Sequence, residues 1–357
     1  MDHLLKLDWL SFTYQVSASD CLDSDGCIIS PFQVFCNNFP ELGILYDSVL
    51  FDTGKFHYSH RYIFSDDIEI NCCELEKVSG GQVNFDYACK MGVNVSIPSH
   101  SLSLFASLLG FDINDKSACC DLLALLKFRG CKFSRIDFCY DDFDKVFTAF
   151  DFARWWTNDQ ICTRFKNCDF KSSQSKVGGT FYLGDRRHRM VRIYDKFYES
   201  KGVIDSVRYE WEYHSSDAVK LADFIIVNSG KIGFTSLLDE WFRVLVPNNN
   251  SSNRSEVATL PEWSEFIEKR QFSEELIIPE YNVVERETSL NSWVQNICLK
   301  SVKGYIASVG LDTFFSQLKR CDMSKKYIDY TKKMVIRGFT PFNIEDFYIA
   351  VEPWENV

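Results

Sequence analysis

The chain has 357 residues, 46% of them hydrophobic and 15% aromatic, which is enough to fill large cores and excludes a mainly disordered protein. At this length two domains are expected. The formal charge of −11 argues against a protein that coats nucleic acid without selectivity, although residues 164–202 carry 10 Lys and Arg against 4 Asp and Glu, and residues 295–337 carry 9 against 3.

Leu7 to Tyr14 reads as a first strand, its alternation setting Leu10, Phe12 and Tyr14 against Trp9, Ser11 and Thr13. A second alternating run, Val93, Val95 and Ile97, ends at Pro98. Helices are predicted over Ser101 to Leu109 and Ala118 to Phe128, the latter with Ser117 as the nearest N-cap and Gly130 as the stop. A strand follows over Lys132 to Tyr140, and then a helix over Asp142 to Trp156, with Phe143, Val146, Phe147 and Phe150 on its apolar face. Three more strands, Gly179 to Leu183, Met190 to Lys196 and Ser206 to His214, lead to a helix over Ala218 to Val227.

This order predicts an α+β domain over residues 1–245, an antiparallel sheet with helices on one face and the other face open to a substrate. The polar run 246–254 reads as a linker. Residues 255–357 read as a mainly helical C-terminal domain, with helices over Pro261 to Lys269, from about Ser289, over Leu311 to Lys319 and over Ser324 to Val335. The 14 cysteines fall singly or in adjacent pairs without C-x-x-C, and no signal pattern precedes them. Buried reduced thiols in the cytoplasm are the expectation. No apolar run reaches the roughly 18 residues of a membrane span, so no membrane partner is expected.

Neither G-x-G-x-x-G nor G-x-x-x-x-G-K-[ST] occurs, nor H-E-x-x-H, nor G-x-S-x-G. What remains is charge inside strands. Period two places Arg135, Asp137, Cys139 and Asp141 opposite Ile136, Phe138 and Tyr140. It likewise places Arg208, Glu210, Glu212 and His214 opposite Val207, Tyr209, Trp211 and Tyr213. If these strands are neighbours, Asp137 and Glu210 form an acidic pair that needs a cation, and such oxygen ligands suit Mg²⁺ or Mn²⁺. A solvated, salt-bridged face is the alternative. On a third strand Arg192, Tyr194 and Lys196 alternate with Val191, Ile193 and Asp195. The two cations are placed to hold a phosphodiester and favour the phenolate of Tyr194, a nucleophile. Arg186, Arg187 and Arg189 on the adjoining turn are placed to neutralise neighbouring phosphates.

These segments resemble the replication initiation factors of rolling-circle plasmids and filamentous phages, a family that includes relaxases of conjugative elements. Asp8-Trp9-Leu10-Ser11-Phe12-Thr13 looks like the family's first strand, and Arg135-Ile136-Asp137-Phe138-Cys139-Tyr140-Asp141 is similar to its R-[IL]-D-x-x-x-D strand. Gly178 to Gly184 followed by Arg192-Ile193-Tyr194-Asp195-Lys196 looks like its G-x-T-x-Y-x-G…R-x-Y-[DN]-K hallmark, and Arg208-Tyr209-Glu210-Trp211-Glu212 like its R-x-E-x-E strand. The resemblance implies an endonuclease with a Rep/relaxase-like fold that nicks one strand of origin DNA. It implies Tyr194 as nucleophile and 5′-phosphotyrosine carrier, and a 3′-hydroxyl left as primer until the strand is rejoined. Asp137 and Glu210 would hold Mg²⁺ or Mn²⁺, assisted by Asp141 and Glu212, while Arg192 and Lys196 would position the phosphate. Where the family has a serine-containing turn this chain has Asp185, which needs Arg186 or Arg187 as a partner.

Arg135, Arg186, Arg187 and Arg189 are expected to contact DNA, as are Lys325 and Lys326 of the basic C-terminal segment. Origin DNA, single-stranded or extruded at the nick, is the expected partner. A helicase and other replication proteins would come from the bacterial host, since the chain has no ATPase motif, and a homodimer suits origin recognition. The alternative is a non-catalytic, sequence-specific DNA-binding regulator on the same fold.

Overall fold

The computed structural model describes residues 5–22, 28–43, 48–51, 54–64, 67–73, 85–172, 178–200, 202, 204–233, 237–238, 241–247, 253–270 and 273–279. Ten strands form one sheet: β1 (Leu5–Tyr14), β2 (Ser48–Phe51), β3 (His60–Phe64), β4 (Ile68–Cys72), β5 (Val93–Pro98), β6 (Cys131–Asp142), then β8 (Cys168–Ser172), β9 (Gly179–Asp185), β10 (Arg189–Asp195) and β11 (Val207–His214), with a short β7 (Ile161–Cys162) outside it. Their order is β2-β3-β4-β5-β1-β6-β11-β10-β9-β8, and each neighbouring pair is antiparallel. The α+β architecture expected from the sequence is therefore present.

Alternation decides which face is covered. Ile136, Phe138 and Tyr140 of β6 and Val207, Tyr209 and Trp211 of β11 are all buried. Phe138 stacks on Trp211 at 5.3 Å between ring centroids. The helices Ser99–Leu108, Ala118–Phe128, Ala149–Thr157 and Ser215–Val227 bury their apolar residues on this side, in one core with the strands. Phe152 shows how tightly it is joined, with ring contacts at 5.4 to 5.9 Å to Phe181, Tyr209, Phe242 and Trp263. Among the described residues no helix is long and apolar enough to cross a membrane. The described cysteines are all free thiols, most of them buried.

One expectation is corrected. The helix predicted from Asp142 begins at Ala149. The β6 strand runs on to Asp142, whose carboxylate accepts from the Val146 N–H at 3.0 Å and bends 143–148 into a turn. Thr148 then starts the helix, its N–H and hydroxyl both donating to Asp151 at 2.9 and 2.8 Å.

Contacts also run across the expected domain boundary. At the end of the predicted linker, Arg254 donates to the carbonyls of Asp159 and Ile161 at 2.7 and 2.8 Å. Helix Pro261–Glu268 sends Trp263 and Phe266 into the same core. Ile277 exchanges backbone hydrogen bonds with Leu5 and Leu7, at the end of β1 that β5 leaves uncovered. The body of the domain thus extends to at least Pro279. The helices predicted beyond it, with Lys325 and Lys326, lie outside the described residues.

Two buried ion pairs fix this arrangement. Arg270 reaches Asp142 at 2.5 Å and Tyr140 at 3.0 Å, tying the segment after 260 to β6. Arg208 binds Asp141 through two hydrogen bonds at 2.7 and 2.8 Å across β11 and β6. Arg270→Ala leaves the Asp142 carboxylate buried and uncompensated, so it should lower unfolding free energy by about 3–5 kcal/mol. Lys269→Ala, which breaks only an exposed pair with Glu265, should leave the midpoint of the same urea titration close to that of wild type.

The Asp141 pair predicts a pH dependence. Burial would raise this carboxyl, but the Arg208 hydrogen bonds and charge, with Lys6 and Lys196, hold it below its ordinary value. A lowered folded-state value gives stability that is complete above the unfolded value of about 3.9 and lost as pH falls through the folded one. The stability gap between wild type and Asp141→Asn should therefore be widest near neutrality and close as pH drops below about 4, measured by denaturant unfolding across pH.

Candidate active site

The open face of the sheet is built from β1, β6, β11 and β10. Antiparallel register sets Asp137 opposite Glu212, Arg135 opposite His214, Asp141 opposite Arg208, and Glu210 opposite Arg192. Period two makes these residues the outward set on each strand. Outward here still means largely covered, because Asp137, Glu210 and Glu212 are each no more than 1% exposed. Carboxylates so placed require partners, and each has one.

Tyr194 stands on β10 with its hydroxyl donating to Glu210 Oε2 at 2.9 Å. The other oxygen of Glu210 is held by Arg192, whose Nε lies 2.9 Å from Glu212 Oε1. Arg192 therefore bridges the two glutamates. Glu212 Oε2 faces His214 Nε2 at 3.2 Å, Arg135 at 3.6 Å and the exposed Arg186 at 3.6 Å. Arg135 Nε lies 2.9 Å from both oxygens of Asp137. One ligand atom from each of Asp137, Glu212 and His214 falls within a 4.8 Å group, close enough for one divalent cation.

Burial shapes the titration of this face. It pushes the Asp137 carboxyl well up against the pull of Arg135, with Glu212 and Glu210 adding to the rise. Burial also raises Glu210, more than Arg192 and the Tyr194 hydroxyl lower it. Glu212 goes the other way: burial is outweighed by the His214 hydrogen bond and the Arg192, Arg135 and Arg186 charges. For Tyr194, burial and then the neighbouring Glu210 charge push the phenol far above its ordinary value. Burial thus favours the neutral phenol over the phenolate expected beside Arg192 and Lys196. Arg192 is engaged by two glutamates, and Lys196, 5.9 Å from the Tyr194 ring centroid, pairs with Glu199 at 2.5 Å.

The structure sorts the remaining sequence-predicted residues. Asp137 and Glu212 come together, whereas Glu210 is occupied with Tyr194 and Arg192. Asp141, also expected near a metal, is instead clamped by Arg208, with Lys6 at 3.7 Å, and lies outside the Asp137, Glu212 and His214 group. Arg187 pairs with Asp185 at 2.6 Å and holds that carboxyl far below its ordinary range, supplying the partner this turn was expected to need. Gly184 before it has φ +109°, and a Cβ there would meet the Arg189 carbonyl at 2.5 Å, so only glycine fits.

Arg189, expected to contact DNA, lies on the helix-covered face. It shares the phase of Val191 and Ile193, and its guanidinium sits 5.1 Å from the Phe165 ring centroid and 5.7 Å from that of Trp241. His214 was legible as a member of the outward set but not as a ligand. Asp8, 3.0 Å from Arg208, was not legible, since a register shift between Leu7 and Trp9 turns it onto this face. A cavity of about 1220 Å³ opens over Tyr194 and Glu210, with Trp9, Tyr182, Arg192, Lys196 and Tyr198 also on its walls.

No curated protein matches the chain in sequence. A solved structure, the rolling circle replication initiator protein from Geobacillus stearothermophilus, superposes with a TM-score of 0.57 over 79% of this chain and 100% of that one, at 19% identity. At that identity the likeness is one of fold. Residues 131–303 match the family model for the replication initiation factor. That segment contains Asp137, Tyr194, Glu210, Glu212 and His214, and across it the chain is similar to the replication initiation factor family.

Proposed function

We propose that this protein is an endonuclease that starts replication by nicking one strand of origin DNA, with Tyr194 as its nucleophile. The observation that carries the reading is the 2.9 Å hydrogen bond from the Tyr194 hydroxyl to Glu210, inside a cavity large enough for a nucleotide strand. A phenol that burial keeps neutral cannot attack as a standing phenolate, so its proton must leave during the attack. Glu210 is the group in contact to receive it.

As the phenolic oxygen bonds to phosphorus, the bond from phosphorus to the 3′ oxygen breaks. The proton taken by Glu210 is then available to the departing oxygen. Atoms balance without water or a nucleotide cofactor. The products are a 5′-phosphotyrosine and a free 3′-hydroxyl, and attack by a 3′-hydroxyl on the phosphotyrosine reverses the step and rejoins the strand.

Asp137, Glu212 and His214 fit a divalent cation such as Mg²⁺ or Mn²⁺, two carboxylates and an imidazole being a suitable donor set. Bound there, the cation supplies Lewis-acid stabilisation of charge on the phosphate oxygens. Arg135 and Arg192 hold the ligand carboxylates in place, and Arg186, two-thirds exposed beside Glu212, is available to a neighbouring phosphate.

On a labelled single-stranded origin oligonucleotide, Tyr194→Phe should abolish the covalent adduct seen after denaturing electrophoresis while leaving affinity within about threefold. Glu210→Gln should slow adduct formation by about 100-fold or more. Sequence-specific binding with no adduct from the wild type under any divalent metal would return the chain to a non-catalytic regulator. The cation site has its own test: His214→Ala should weaken Mn²⁺ binding by at least about 10-fold in calorimetry of the protein without DNA. Unchanged Mn²⁺ affinity would remove these three residues from that role.

A further inference from the structure

We infer that Trp9, backed by Arg135, is a stacking surface for an unpaired base of the DNA strand, an inference that rests on the functional reading above. Alternation sets this indole opposite Leu10 and Phe12, on the charged face, as the strand partner of Asp137. The residues that anchor β1 in the core are others, namely Leu5, Leu7, Leu10 and Phe12, all fully buried. A large apolar ring is thus displayed beside the cation ligands, where the core does not call for one.

The ring is held rather than loose. Its Nε1 donates to Ser11 Oγ at 2.7 Å, and Ser11 donates in turn to Ser96 at 3.0 Å. The Arg135 guanidinium lies 4.6 Å from the ring centroid, which stiffens the indole and extends its flat surface. A platform fixed before the ligand arrives loses little freedom on binding.

Location points to the ligand's chemistry. Trp9 borders both the large cavity that Tyr194 lines and a second one of about 240 Å³, whose walls include Phe56, Pro98, His100, Asp67 and Glu69. Its one lysine, Lys55, is paired with Glu69, and two carboxylates against it make that second cavity poor for a phosphate, whereas aromatic rings and proline suit the flat face of a base. Every base offers such a face once it is unpaired, and a duplex hides it between neighbours. The ligand class is therefore a single-stranded nucleotide held by its base, with its phosphate in the cavity of Tyr194.

The test uses the full chain and a fluorescein-labelled, mixed-sequence 20-nucleotide single strand, read by anisotropy beside the matching duplex. Trp9→Leu keeps apolar bulk under the strand but removes the π face, and Trp9→Phe keeps a smaller ring. Trp9→Leu should weaken single-strand binding about 10-fold while Trp9→Phe stays within about threefold, with duplex affinity and melting temperature unchanged in both. Equal affinities for Trp9→Leu and wild type would overturn the stacking role alone. Equal losses on single strand and duplex would overturn it too, since they mark a change of charge or fold. A wild type with no affinity for the single strand would overturn the stacking role together with the nicking reading, and the adduct assay on Tyr194 separates the two.

Discussion

A carboxylate buried on a sheet is tolerated only with a cation in contact, and this requirement organises the molecule. Asp137, Asp141, Glu210 and Glu212 lie on two adjacent strands, and each is almost completely covered. The face answers with Arg135 on Asp137, Arg208 on Asp141, and Arg192 between Glu210 and Glu212. Register makes these pairings geometrically available, because antiparallel neighbours point the same way. The sheet therefore does more than display functional groups, since a slip of one residue would bury every one of these charges in the apolar core.

Arg192 is the point at which two kinds of chemistry meet. On one side it fixes Glu210, and through it the Tyr194 hydroxyl; on the other it touches Glu212 of the three-residue group that fits a cation. Tyr194 and the group of Asp137, Glu212 and His214 are thus linked through one guanidinium, and a change in the charge held near Glu212 is felt at Glu210. A lysine in this place would offer a single ammonium for two separate carboxylates, without the planar fork that reaches both.

Period-two patterning in the sequence was sufficient to place Asp137, Glu210, Glu212 and Tyr194 on one face, because strand geometry alone sorts alternate residues. Family-like motifs located the same strands. What patterning could not supply were facts that depend on distant contacts. Phe143 and Val146 keep helical spacing, yet Asp142 accepts from Val146 and pairs with Arg270, and the helix waits until Ala149. Arg189 belongs by charge with Arg186 and Arg187, but by phase with Val191, and phase prevails inside a strand. Alternation sets Trp9 opposite Leu10 and Phe12, but Asp8 reaches the site through a bulge, an irregularity that leaves no mark in a single sequence.

The same pairing bears on how an acidic chain could hold DNA. With Arg135, Arg192 and Arg208 already bound to carboxylates, and Arg187 bound to Asp185, few guanidiniums on this face are left to neutralise phosphates. Counterion release scales with the number of phosphates neutralised, so among the described residues this face would contribute little of it. Under the proposed function, affinity for an unpaired strand would then lean on neutral contacts along the cavity walls, where Trp9, Tyr182 and Tyr198 stand. Stacking of this kind is available to a melted strand and not to a closed duplex. Under that same proposal a net charge of −11 would aid selectivity, because it would discourage general attraction to duplex DNA and leave exposed bases as the feature to bind.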